Sequence, residues 1–135
     1  MDDDTIDKIF LATNDGLTGY TINKFQLMPK DPEEDIRSTV KIYSTPQTTA
    51  SETIDFNETD LLATGIIRGG TGVGQPLTEI TIFDNVKFNQ NIFVTTKGST
   101  YTVPVNYYIE LKESKLSLDE QSVATLKNIR NIGSQ

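Results

Sequence analysis

The sequence predicts an all-β fold, an antiparallel β-sandwich of jelly-roll-like form with one amphipathic helix at the C-terminus. Three observations predict it. Short runs rich in β-branched and aromatic residues alternate apolar with polar, the period of a strand with one buried face. Clusters of Asn, Asp, Gly and Pro separate these runs at short intervals, as in sandwiches and barrels. Beyond residue 116 the period becomes helical.

Residues 6–13 read as the first strand, closed by Asn14-Asp15-Gly16, an Asp-Gly turn signature. A second strand covers 20–28 and stops at Pro29; its alternation slips between Ile22 and Phe25, which predicts a bulge. Residues 30–35, "KDPEED", form a charged loop, because Pro and clustered carboxylates suit no central strand. Residues 38–45 place Val40 and Ile42 on one face and Lys41 and Tyr43 on the other, and 47–53 form a polar loop. Residues 54–67 admit two strands about a turn at Asn57 to Asp60, or one helical turn in place of the second; strands are favoured. Further on, 78–83 alternates Ile80 and Ile82 against Glu79, Thr81 and Phe83. In 91–97, Ile92 and Val94 oppose Phe93 and Thr95. In 105–112, Val105, Tyr107, Ile109 and Leu111 oppose Asn106, Tyr108 and Glu110. The total is about seven or eight short strands.

Ser117-Leu118-Asp119-Glu120 has capping-box spacing. Val123, Leu126, Ile129 and Ile132 then recur every third residue, and Gly133 stands where a glycine stops a helix. Lys127 and Arg130 lie near the end that favours cations. A helix over 117–133 follows. With 135 residues, the whole chain 1–135 reads as one sandwich domain preceded by an acidic arm at residues 1–5.

Composition narrows the function classes. The hydrophobic fraction is 36%, low for an enzyme core and suited to strands that show one face to water. With no cysteine and no histidine, disulfides, thiolate chemistry, imidazole bases and the usual zinc ligands are excluded. A net charge of −7 and a pI near 4.5 disfavour direct contact with nucleic acid or anionic lipid. No apolar run reaches the roughly 20 residues of a membrane-spanning helix. The start, Met1-Asp2-Asp3-Asp4, has neither the basic nor the apolar region of a leader, so cytosolic synthesis is expected.

One stretch invites a phosphate-binding reading: "IIRGGTGVGQP", where Gly69, Gly70, Gly72 and Gly74 fall within six residues. The chemistry does not support it. A P-loop needs Lys and Ser/Thr after its last glycine, but Gln75 and Pro76 follow Gly74. A dinucleotide fingerprint has different spacing and opens a helix. The loop is expected to be a connector or contact tip. Asp55, Asn57 and Asp60 have oxygen ligands at short spacing but lack the glycine and distal Glu of a calcium loop, so a solvated Asx-type turn is expected. Glu79 and Glu110 are mid-strand carboxylates on polar faces, expected exposed rather than paired for hydrolysis. Tyr101, Tyr107 and Tyr108 could offer a sugar-stacking platform, with Tyr107 in phase with the core. No metal or cofactor is expected.

The runs "IFLATNDGLTGYTINKFQLMP", "FDNVKFNQNIFVTTKG" and "VNYYIELKESKLSLDEQSVATLKNIRN" resemble small virion structural proteins of tailed bacteriophages, marine ones especially. The resemblance covers most of the chain and brings no active site with it. It implies a non-enzymatic virion subunit assembled in the host cytoplasm. Such a subunit is a capsid decoration or cement protein bound to the major capsid protein, or a neck or tail component, and it self-associates. Asp2, Asp3 and Asp4, the four glycines, Tyr101 and Tyr108 are the expected contact residues. A carbohydrate-binding sandwich used in host adhesion is the alternative.

Overall fold

The computed structural model describes residues 5–11, 16–31, 33–70, 76–98 and 104–116. Seven strands run through them: β1 Thr5–Ile9, β2 Thr18–Pro29, β3 Ile36–Tyr43, β4 Leu61–Gly69, β5 Leu77–Ile82, β6 Ile92–Gly98 and β7 Val105–Lys115. Five of them form one sheet in the order β1-β6-β3-β4-β5, and β2 pairs with β7 in a second. Every pairing is antiparallel. The described residues are therefore all-β with antiparallel sheets, and no helix lies among them. The helix expected over 117–133 and arm residues 1–4 lie outside them, while Thr5, the end of that arm, begins β1.

The bulge in β2 falls where the alternation slips. Register shifts between Ile22 and Lys24, so Asn23 is the extra residue. This single insertion keeps Ile22, Phe25 and Leu27 on one side, opposite Leu111, Ile109 and Tyr107. Those side chains share a core with Ile36, Val40, Ile42, Leu62, Ala63, Ile67, Ile92 and Val94 of the larger sheet. Each fully buried Leu, Ile or Val contributes on the order of 1.5–3 kcal/mol. β2 lies across β4 and β5, and Gly65 makes the close approach work. A Cβ there would sit 2.7 Å from Leu27 Cδ1 and 2.8 Å from Ile80 Cδ1.

Two expectations for the larger sheet need correction. Lys41 and Tyr43, on the face opposite Val40 and Ile42 where alternation implies contact with water, are 2% and 3% exposed. β3 is central, flanked by β6 and β4, and the segment between β3 and β4 returns over its outer face, where Lys41 Nζ donates to Thr53 O at 2.7 Å. Alternation marks faces, but a covering loop can bury both. Second, residues 54–60 contain no strand; β4 begins at Leu61. Asn57 N donates to Asp55 Oδ1 at 2.9 Å and Glu58 N to Asp55 O at 3.1 Å, an Asx turn that competes with extension. A further register shift, Ile42 with Ala63 but Tyr43 with Leu61, leaves Leu61, Leu62 and Ala63 all buried.

Candidate interaction surface

Of the residues singled out from the sequence, Asp2, Asp3, Asp4, Gly72, Gly74 and Tyr101 lie outside the described residues. Gly69 closes β4 and pairs with Ile36. Gly70 adopts φ 101°, a region that disfavours any side chain. A Cβ there would meet Asp35 and lie 2.7 Å from Glu34 O. The glycine segment joins β4 to β5, whose first pair is Arg68 with Leu77. Tyr108 projects from the outer face of β7 with half its surface in solvent. Its hydroxyl donates to Glu110 Oε1 at 3.1 Å and Lys24 Nζ stands 6.0 Å from its ring centre.

Tyr108 also lines a cleft of about 600 Å³ with Phe25, Leu27, Met28, Ile80 and Tyr107, and with Gln26, Thr78 and Asn106 as its polar groups. Its size suits a small ligand or an inserted segment. The cleft lies between β2 and the edge strand β5. Sequence reading missed it because its walls come from three strands distant in the chain. The glycine segment hands the chain to β5 next to Thr78, in the cleft wall.

The two edges of the larger sheet differ. β1 is short and carries exposed Lys8. Its Asp7 points inward to accept a hydrogen bond from Tyr107 Oη at 3.1 Å. These are the usual guards against strand addition. β5 has Glu79 as its only charge, no lysine and an unbroken register with β4. Nothing among the described residues pairs with its outer edge.

A buried polar cluster beneath the 44–60 segment is the other feature that sequence reading missed. Thr45 Oγ1 donates to Asp60 Oδ2 at 2.6 Å and Gln47 Nε2 to the same oxygen at 3.1 Å. Asp60 is thus buried, not part of a solvated turn as expected. Burial lowers the Lys41 ammonium from its usual value, and Glu58 opposes that shift. Burial, then the carboxylates of Glu58 and Asp60, push the Tyr43 phenol up. Lys, Tyr and two carboxylates could move protons, but Lys41 and Tyr43 are shielded from solvent. The cluster pins the segment to the sheet.

Glu79 is exposed on the larger sheet, and Glu110 is half-buried on the outer face of β7. They lie on different sheets and do not converge. Among the described residues, no group of three or more Asp or Glu side chains is placed to hold a metal.

No family model matches the chain, no curated protein matches it, and no solved structure matches it.

Proposed function

We propose that this chain is a non-enzymatic structural subunit of a tailed-phage virion, a decoration or cement protein on the capsid exterior that binds the major capsid shell. A neck or tail position is the alternative. In this reading the two sheets form a jelly-roll-like β-sandwich, completed by a helix over 117–133. One observation carries the proposal: the unguarded β5 edge beside an apolar cleft. Strand addition supplies backbone hydrogen bonds, and a neighbouring cleft takes alternate side chains. Copies set by symmetry multiply such contacts.

The test adds purified protein to shells that lack it and heats both. Wild type should bind and raise the rupture temperature; Thr78→Lys, which sets an ammonium at the cleft wall, should do neither. Failure of wild type to bind or stabilise any part of the particle overturns the proposal. Copy number then separates the sites: a count matching the shell lattice means capsid, and one matching the tail's ring symmetry means neck or tail. The exposed Tyr108 ring beside Gln26 and Asn106 supports a second reading, glycan binding. A glycan array on which Tyr108→Ala abolishes a wild-type signal would favour it.

A further inference from the structure

One hydrogen bond identifies which backbone groups of β5 face its open edge. Phe83 N–H donates to Leu62 O at 3.0 Å, directly beyond the pair of Ile82 with Ala63. In an antiparallel ladder, successive residues bond alternately to one side and to the other. Leu77, Glu79 and Thr81 therefore turn their N–H and C=O groups to β4, in phase with Phe83, and Thr78, Ile80 and Ile82 turn theirs to the open edge. Pro76, the next position in that phase, has no N–H, so the open run is Thr78 to Ile82. Side chains alternate too: Thr78 and Ile80 line the cleft, while Glu79 is exposed on the other face.

We propose that the occupant of this edge is β5 of a second copy of the chain, paired antiparallel about a two-fold axis through Ile80. The inference rests on the strand-addition reading of the β5 edge and names its partner. A two-fold axis normal to the sheet keeps both inner faces on one side, so each residue opposes one of its own face. Centred on Ile80, the pairing uses all three outward-facing residues. Ile80 opposes itself and Thr78 opposes Ile82 twice, giving about six backbone hydrogen bonds. Centring on Glu79 would set two carboxylates in direct opposition, which is destabilising, and would set Ile82 against Pro76. Centring on Thr81 would set Thr78 against Asp84, beyond the end of β5. In the Ile80 register, Glu79 lies across from uncharged Thr81 and Leu77 from Phe83. Phe83 already packs edge-on with the exposed Phe56 at 5.4 Å, so the pair extends an apolar contact. On the inner face, the second copy brings Ile80 and Ile82 to a cleft walled by Phe25, Leu27 and Ile80. The net charge of −7 opposes the approach of two copies, so the pairing strengthens as salt rises.

The chain has no cysteine, so single-cysteine variants read the register directly. Under mild oxidation, Ile80→Cys should link two copies about tenfold faster than Glu79→Cys or Thr81→Cys. Only position 80 directly faces itself; 79 and 81 meet their own copies on diagonals of ~7–8 Å, beyond the Cβ separation of ~3.5–4.5 Å that a bridge needs. No bridge at 80, or equal bridging at 79 or 81, overturns the proposal. Because Ile80 also packs against the core, Thr81 supplies a second test that leaves that contact intact. In sedimentation velocity the full chain should dimerise reversibly, and more tightly at high salt. Thr81→Lys, across from Glu79, should tighten the dimer about fivefold, and Thr81→Glu should weaken it about fivefold. Thr49→Lys, the same charge change on the segment over β3, should match wild type. A monomer at every concentration, or equal Kd for the two Thr81 variants, overturns the pairing. Shell binding by a strictly monomeric chain would sink the pairing and leave the virion reading standing; a dimer that binds no part of the particle would do the reverse.

Discussion

Gly65 is the point where the two sheets can be tested directly. In Gly65→Val the new Cβ would stand 2.7 Å from Leu27 Cδ1 and 2.8 Å from Ile80 Cδ1, with Phe25 Cε2 at 3.3 Å. Carbon–carbon contacts prefer about 3.5–4.0 Å, so both methyl groups must retreat by about 1 Å. Valine brings two further methyls into the same space. Overpacking of this kind costs about 1–3 kcal/mol, and the upper half of that range is expected. A glycine-to-valine change in a strand would otherwise gain up to ~1 kcal/mol in propensity, so a net loss isolates the packing conflict. Leu27→Ala alone should cost ~2–4 kcal/mol by leaving a cavity. Combined, the two changes should cost at least ~1 kcal/mol less than their sum, because the truncated side chain vacates the space valine needs. Urea unfolding of the four proteins by circular dichroism, analysed by linear extrapolation, measures this coupling. Additivity within ~0.5 kcal/mol would refute the contact between β2 and β4.

Gly70→Ala should lose ~1–3 kcal/mol, because φ 101° and the crowding by Asp35 and Glu34 leave alanine strained. Gly69→Ala, whose Cβ would meet only Ile36 Cγ2 at 3.8 Å, should stay within ~0.5 kcal/mol; both are read from urea midpoints. Thr95→Val should raise stability by ~0.5–2 kcal/mol, since the buried Oγ1 makes no hydrogen bond among the described residues; a loss of stability would mean that the hydroxyl is satisfied. Burial and the Asp7 carboxylate push the Tyr107 phenol up to about 12. A raised folded value means that its contribution is whole below about pH 10 and is lost as pH rises towards 12. Tyr107→Phe should therefore cost ~1 kcal/mol at pH 7 and decline less steeply over that alkaline window. Parallel pH curves for the two proteins would count against the hydrogen bond.

The elements that could be read from the sequence are those whose cause is local. Period-two alternation located β3, β5, β6 and β7, and the slip beside Ile22 marked the bulge in β2, because one inserted residue must invert a face. The glycine run fails as a phosphate site on local grounds, since no Lys or hydroxyl follows Gly74 and the glycine spacing is not that of a dinucleotide fingerprint. What failed was burial: Lys41 and Asp60 look solvent-facing by residue type, and only the return of the 44–60 segment over β3 conceals them. The cleft likewise has no local signature, since Phe25, Ile80 and Tyr108 meet only after β2, β5 and β7 are assembled.

The amino-acid order by itself determined the alternating strands among the described residues, the lack of thiol and imidazole side chains, and a net charge of −7. Those properties depend on side-chain types and on periods spanning a few residues. Tertiary structure alone decided which edge stands unguarded, which polar groups are buried and where a cleft opens. These depend on contacts between residues far apart in the chain, and no short-range pattern encodes them.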